Sequence, residues 1–168
     1  MTRSEFLRRV SVLLPVMTLV CGGLAATAAV AGGPVDGIAW ADSLKDARAR
    51  SYATGKPILV VFGAEWCGYC RKMEKTTLSQ PQMAALINER FVPVHIDLTD
   101  QKSQTPAKRV ASILKVKTLP TSVVLTAEAD LLGRITGFQS PARLYEKLTA
   151  AEKAGAEIRV AGGTRAAE

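Results

Sequence analysis

The uninterrupted apolar run Ile58-Leu59-Val60-Val61-Phe62 constrains this chain more than any other stretch. Five residues are too few for a buried helix, and the β-branched content favours an extended strand. No polar residue alternates within the run, so both faces of that strand must be covered. A strand buried on both faces needs a layer of structure on each side, which points to an α/β fold.

The segments around the run supply those layers. "DSLKDARARSYATG" reads as a helix: Asp42 or Ser43 caps it, Leu44, Ala47 and Tyr52 form its apolar side, and Gly55 stops it. "CGYCRKMEKTTL" reads as a second helix, and "SQPQMAALINER" continues or restarts it at Pro81. "FVPVHIDL" gives a strand from Phe91 to Asp97, followed by the polar loop "TDQKSQTP". A short helix opens on Pro106, a favoured first helical position. "TLPTSVVLT" is a third strand with Pro120 at its start, and "LLGRITGF" a fourth. Ser140 caps a last helix that begins at Pro141, with Leu144, Tyr145 and Leu148 on its buried side. Strands alternating with helices predict parallel pairing, and the short turn between the last two predicts an antiparallel pair.

The 168 residues suffice for one domain with a substantial core. The first 28 residues are read as an address. A basic start with Arg3, Arg8 and Arg9 precedes the apolar "VSVLLPVMTLV" and then small residues, the order of a secretory signal peptide. Cleavage fits after Ala28, or after Ala31. Two competing readings are an uncleaved anchor, since no charge occurs between Val10 and Val35, and a lipoprotein attached through Cys21. The Ala- and Gly-rich second half suits cleavage better than a span. Residues 29–39 then form a flexible lead-in, 40–154 the folded domain, and 155–168 a frayed tail. The net charge of +7 is spread over scattered Lys and Arg with no basic, aromatic-interleaved block, so nucleic-acid binding is disfavoured.

Export changes the meaning of the cysteines. If Cys21 leaves with the leader, the remaining pair, Cys67 and Cys70, stands three residues apart in an oxidising compartment. So short a loop constrains little of the unfolded chain, so the pair is a poor staple. Cys67 falls at a helix start, where unpaired N–H groups favour a thiolate, and the thiolate is the nucleophile. Cys70 lies on the same helical face and within reach, able to resolve a mixed disulfide. A zinc half-site and a structural pair are the competing readings. Structural zinc takes four ligands, and only Cys21 and His95 remain as candidates. His95 reads as a surface or strand-packing residue. Trp66 serves either core packing or an aromatic wall beside the sulfur. Pro120 belongs at a strand start, and the sequence leaves its isomer open.

Taken together, "FGAEWCGYCRKM" and "KTLPT", about fifty residues apart, resemble the active-site segment and cis-proline loop of the thioredoxin superfamily. The resemblance runs from about Trp40 to Ala154 and is strongest to exported thioredoxin-like proteins akin to the C-terminal domain of DsbD. It implies a thioredoxin-like fold, a mixed four-stranded sheet flanked by helices. It implies a periplasmic thiol–disulfide oxidoreductase that needs no cofactor or metal. Cys67 would attack and Cys70 resolve; Pro120 would be cis. The Leu119 backbone would pair with a substrate peptide. Trp66, Gly68 and Tyr69 would border the groove. Partners would be protein disulfides and a membrane or exported redox protein. The buried Asp usual in thioredoxin is replaced by Val61, with Glu65 a candidate substitute. Gly-Tyr between the cysteines is similar to the disulfide isomerase DsbC, but a dimerisation domain is missing, as is the large helical insertion of DsbA-like oxidases. The preferred role is reduction or electron relay. The alternatives are an oxidase or isomerase direction and a non-catalytic binding module.

Overall fold

The computed structural model describes residues 35–100 and 105–165. The address segment and the lead-in through residue 34, residues 101–104 of the polar loop after β2 and the last three residues lie outside that range. Among the described residues, five helices flank a four-stranded sheet, in the order α1 (Leu44–Thr54), β1 (Ile58–Gly63), α2 (Gly68–Met73), α3 (Pro81–Arg90), β2 (Val92–Asp97), α4 (Pro106–Ile113), β3 (Thr121–Leu125), β4 (Leu131–Thr136) and α5 (Pro141–Arg165). A π-helical turn, Glu74–Leu78, joins α2 to α3.

β1 sits inside the sheet, whose strand order is β2-β1-β3-β4, and all six of its residues are buried. Its side chains alternate between two cores, as the two-residue period of a strand requires. Ile58, Val60 and Phe62 join Val92, Val94, Val123 and Ala111 on the face covered by α1 and α4. Leu59 and Val61 join Met73, Ile87, Phe91, Ile135, Leu144 and Leu148 on the face covered by the π turn, α3 and α5.

β1 and β2 are parallel. β3 runs antiparallel to β1, contrary to the parallel pairing that helix alternation suggested, and β4 is antiparallel to β3. The connection through α4 therefore returns the chain in the opposite sense instead of completing a second βαβ unit. Alternation specifies that helices lie on the sheet faces but does not fix the direction of each strand.

Several local expectations change for identifiable reasons. Ser43 is the N-cap of α1, accepting from the Asp46 N–H, and Gly55 ends the helix in the left-handed region at φ 70°. Tyr52 points outward at 58% exposure, beneath the Arg48 guanidinium, while Ser51 takes the buried position and donates to the Lys56 carbonyl at 2.5 Å. On α5, Leu144 and Leu148 are buried but Tyr145 is 48% exposed. The lead-in is not free at its C-terminal end. Val35 and Ile38 are buried, and Asn88 clamps this segment by donating to the Gly37 carbonyl and accepting from the Ala39 N–H, each at 2.8 Å. The tail expected to fray from residue 155 is helical through Arg165. Gly155 packs so close to β4 that a Cβ there would lie 2.8 Å from Leu132 Cδ1.

Because Leu148 has no exposed surface in the core between α5 and the sheet, Leu148→Ala is expected to destabilise the fold by about 2–5 kcal/mol. Urea unfolding measures this. A loss well under that range would mean that α5 does not seal this core.

Candidate active site

β1 ends at Gly63 and the chain turns sharply into α2. The turn is held at several points. The Cys67 N–H donates to the Ala64 carbonyl at 3.0 Å, and the Leu98 N–H reaches the Gly63 carbonyl at 2.8 Å. Thr99 Oγ1 accepts from the Glu65 N–H at 2.8 Å, and its hydroxyl is fixed by Asp97 Oδ1 at 2.5 Å. Asp97 at the end of β2 thus steadies the loop that carries Trp66 and Cys67, a role that sequence spacing did not reveal. Arg71 adds a hydrogen bond to the Glu65 carbonyl.

Cys67 caps α2, its sulfur accepting from the Cys70 N–H at 3.1 Å. The two cysteines are joined as a disulfide, with Cα atoms 5.2 Å apart. Both are largely buried, at 7% and 2% exposure, in a small apolar cluster with Ala64 and Leu119. Two sides of this disulfide differ. On the outer side an open groove of about 820 Å³ is lined by Trp66, Cys67, Gly68, Tyr69, Leu119 and residues of α4 and the loop after it. Trp66 and Tyr69 stand 56% and 66% exposed along it, so Trp66 is not a core residue. On the inner side a narrow recess is lined by Val61, Gly63, Cys70, Glu74, His95 and Pro120. The Leu119–Pro120 peptide bond is cis, and the β3 ladder begins just beyond it at Thr121.

The sequence-derived residues therefore fall into two groups. Cys67, Cys70, Trp66, Gly68, Tyr69 and Leu119 meet at the groove, and Pro120 backs the cysteines. Glu65 is exposed and is absent from the recess lining, so it does not take the place of a buried acid. The recess instead holds two groups that the sequence reading left out of the site. Burial raises the Glu74 carboxyl above its ordinary range, with Arg71 acting against the shift. Burial lowers the His95 imidazole below 6.5, with Asp97 opposing. Glu74 arrives there through the π turn, a distortion common at functional sites and one that no apolar spacing signals. Among the described residues, no group of three or more His, Cys, Asp or Glu could hold a metal ion.

This constellation, a disulfide-forming Cys-x-x-Cys between a buried strand and a helix on a four-stranded mixed sheet, defines a thioredoxin-like protein. The family model described as a thioredoxin-like domain matches residues 44–152, and the chain belongs to that family. Among its relatives, the thiol:disulfide interchange protein DsbD of Vibrio cholerae is 32% identical over 114 residues, covering 67% of this chain and 18% of that protein. The thioredoxin-related protein DsbJ of Chlamydia pneumoniae is 28% identical over 109 residues, 61% of this chain and 31% of that one. The chain thus spans less than a third of either relative. Among solved structures, a thioredoxin from Thermus thermophilus superposes with a TM-score of 0.57 at 27% identity, over 66% of this chain and 83% of that one. The oxidised C-terminal domain of Neisseria meningitidis DsbD gives 0.52 at 25% identity, over 64% and 93%.

The His95 shift has a sign that can be checked. A base whose folded pKa is lowered stabilises the fold above its unfolded value and loses that contribution as pH falls through the folded value. The oxidised protein is expected to lose stability on acidification below about pH 6.5, and His95→Gln to lose that component. Urea midpoints across pH for the two proteins test this; parallel curves would contradict the burial of a neutral imidazole.

Proposed function

We propose that this protein is an exported thiol–disulfide oxidoreductase that reduces protein disulfides, or relays electrons to them, through the Cys67–Cys70 couple. The observation that carries the reading is the joined pair at the floor of an open groove, with aromatic side chains beside it. Cys67 faces that groove and Cys70 does not, which supports Cys67 as the attacking thiol and Cys70 as the resolving one. The same disulfide weighs against a purely non-catalytic binding module.

A client peptide would lie along the groove, its backbone beside Leu119 and its side chains against Trp66 and Tyr69. The ladder of β3 starts at Thr121, so Leu119 lies past the paired residues and suits short strand addition. The space beside Gly68 is open, since a Cβ there would meet nothing within 4 Å. Pro120 would shape the inner wall. The couple itself carries the electrons, and no cofactor or metal is invoked.

The reducing direction is supported by the residues between the cysteines. Gly68 and Tyr69 add no cationic side chain to the helix start that would hold a Cys67 thiolate, although Lys108 and Lys117 line the same groove. A less stabilised thiolate makes a dithiol the better electron donor. The leader-like first 28 residues support a periplasmic setting, and likeness to interchange proteins supports a membrane-bound or exported redox partner. Among the described residues no helix is long and apolar enough to cross a membrane. In this reading residues 1–28 are removed, with the alternative cut after Ala31, and the catalytic domain occupies about Trp40 onward.

Supplied with a small dithiol, the protein is expected to reduce a protein disulfide catalytically. Cys67→Ser should abolish turnover, and Cys70→Ser should accumulate a mixed disulfide with the client, visible by mass spectrometry. Full activity in Cys67→Ser would overturn the proposal. Trp66→Ala is expected to raise KM for a peptide disulfide about tenfold, the loss of one aromatic contact, with little change in kcat. An unchanged KM would remove Trp66 from the client groove.

A further inference from the structure

The inner recess holds a base in the place where this fold has lost its acid. Val61 on β1 is paired in register with His95 on the parallel neighbour β2. Residues so paired project from the same face of a sheet. That face is the one packed against α2 and the π turn, and His95 lines the recess together with Cys70. Its Nε2 is buried and has no hydrogen-bond partner among the described residues, an expensive state for a polar atom unless the vacancy serves something. The recess volume is about 10 Å³, roughly the room that one water requires.

Gly63 keeps the imidazole and the cysteine in communication. A Cβ at position 63 would sit 2.9 Å from His95 Nε2 and 3.9 Å from Cys70 Cβ. Any larger residue there would fill the space between the two side chains. Trp40 packs edge-on against the imidazole at a centroid distance of 5.9 Å and helps to fix its plane.

We infer that His95 is the proton acceptor for Cys70, standing in from β2 for the carboxylate that Val61 lacks on β1. The inference rests on the dithiol exchange proposed above. In the mixed disulfide, Cys67 Sγ is bonded to a client sulfur and Cys70 carries a thiol. His95 Nε2 takes the Cys70 proton, and the imidazole becomes imidazolium. The Cys70 thiolate attacks Cys67 Sγ, the Cys67–Cys70 bond forms, and the bond to the client breaks. The client sulfur leaves as a thiolate and takes a proton from solvent. Two electrons have passed from the enzyme dithiol to the client disulfide, and the imidazolium then loses its proton.

The charged and titratable groups around the imidazole are Cys70 from α2, Glu74 from the π turn and Asp97 on its own strand, with Arg71 near Glu74. Burial keeps the imidazole neutral near pH 7, the form able to accept a proton. Glu74 is the competing acceptor, and the test separates the two.

Ellman's reagent, an aromatic disulfide, added at one equivalent to the reduced, tag-free full chain in a Cys21→Ala background releases two coloured thiolates in sequence. The first reports Cys67 attack and the second reports Cys70 resolution. Because the aryl thiolate leaves without a proton, the second phase follows deprotonation of Cys70. Its rate is expected to be flat from about pH 7 to 8 and to fall at acid pH. In His95→Gln it should be about tenfold slower or more at pH 7 and should rise with pH throughout, while the first phase is unchanged. Glu74→Gln should keep the plateau. A plateau retained in His95→Gln, or lost in Glu74→Gln, would overturn the inference. Absence of the first phase in the Cys21→Ala parent would instead overturn the dithiol exchange. Should His95→Gln fail to fold, imidazole NMR of the parent serves, since His95 is the chain's single histidine. Its titration midpoint is expected to differ between oxidised and reduced protein, and an identical midpoint would contradict coupling to Cys70.

Discussion

The burial of β1 on both faces is the constraint on which the rest of the structure depends. A strand with no solvent-facing side must be enclosed by two helical layers and flanked by strands on both edges. Those requirements account for the placement of α1 and α4 on one face and the π turn, α3 and α5 on the other. They also account for its interior position between β2 and β3. A strand so firmly held is a rigid platform, and its C-terminal end is where the reactive turn is built. The Cys67–Cys70 pair takes its geometry from that end of β1, from the Asp97–Thr99 tie at the end of the parallel neighbour, and from the Leu119–Pro120 junction before the antiparallel one.

The same platform separates two chemical tasks. The groove side of the disulfide is open, aromatic and exposed, suited to admitting a flexible client. The recess side is narrow and contains His95 and Glu74, both shifted toward their neutral forms by burial. A neutral imidazole next to a buried disulfide avoids the cost of an unpaired charge in a poorly solvated place. In the proposed exchange, a thiolate that forms there meets a group able to hold its proton. The division follows from the twofold period of β1 and β2: Val61 and His95 face the recess, while Ile58 and Val60 are committed to the opposite core.

Much of this was legible in the sequence because it is encoded by local pattern. The continuous run at 58–62 specified a buried strand, Pro81, Pro106 and Pro141 marked helix starts, and the resemblance of their segments to thioredoxin-like proteins grouped Cys67, Cys70 and Pro120. What stayed hidden depends on tertiary pairing. The direction of β3 is decided by how the α4 connection returns, which helix–strand alternation leaves open. The sequence puts Tyr52 and Tyr145 on the apolar sides of their helices, yet a hydroxyl-bearing ring at the edge of such a stripe stays at the surface. Residues 29–39 read as a flexible lead-in because Gly32, Gly33, Pro34 and Gly37 fall there, but Val35 and Ile38 find buried sites and Asn88 fastens the backbone between them. His95 looked ordinary because its partner across the sheet is known only once β1 and β2 are in register.

The Cys67–Cys70 couple is proposed as an electron donor, and its reduction potential tests that role most directly. Equilibration of the pair in defined thiol–disulfide buffers, read by alkylation and mass, gives the value. The expected result is a reducing couple close to that of thioredoxin, at about −270 mV. A value close to that of the oxidant DsbA, at about −120 mV, would contradict it and reverse the direction of electron flow.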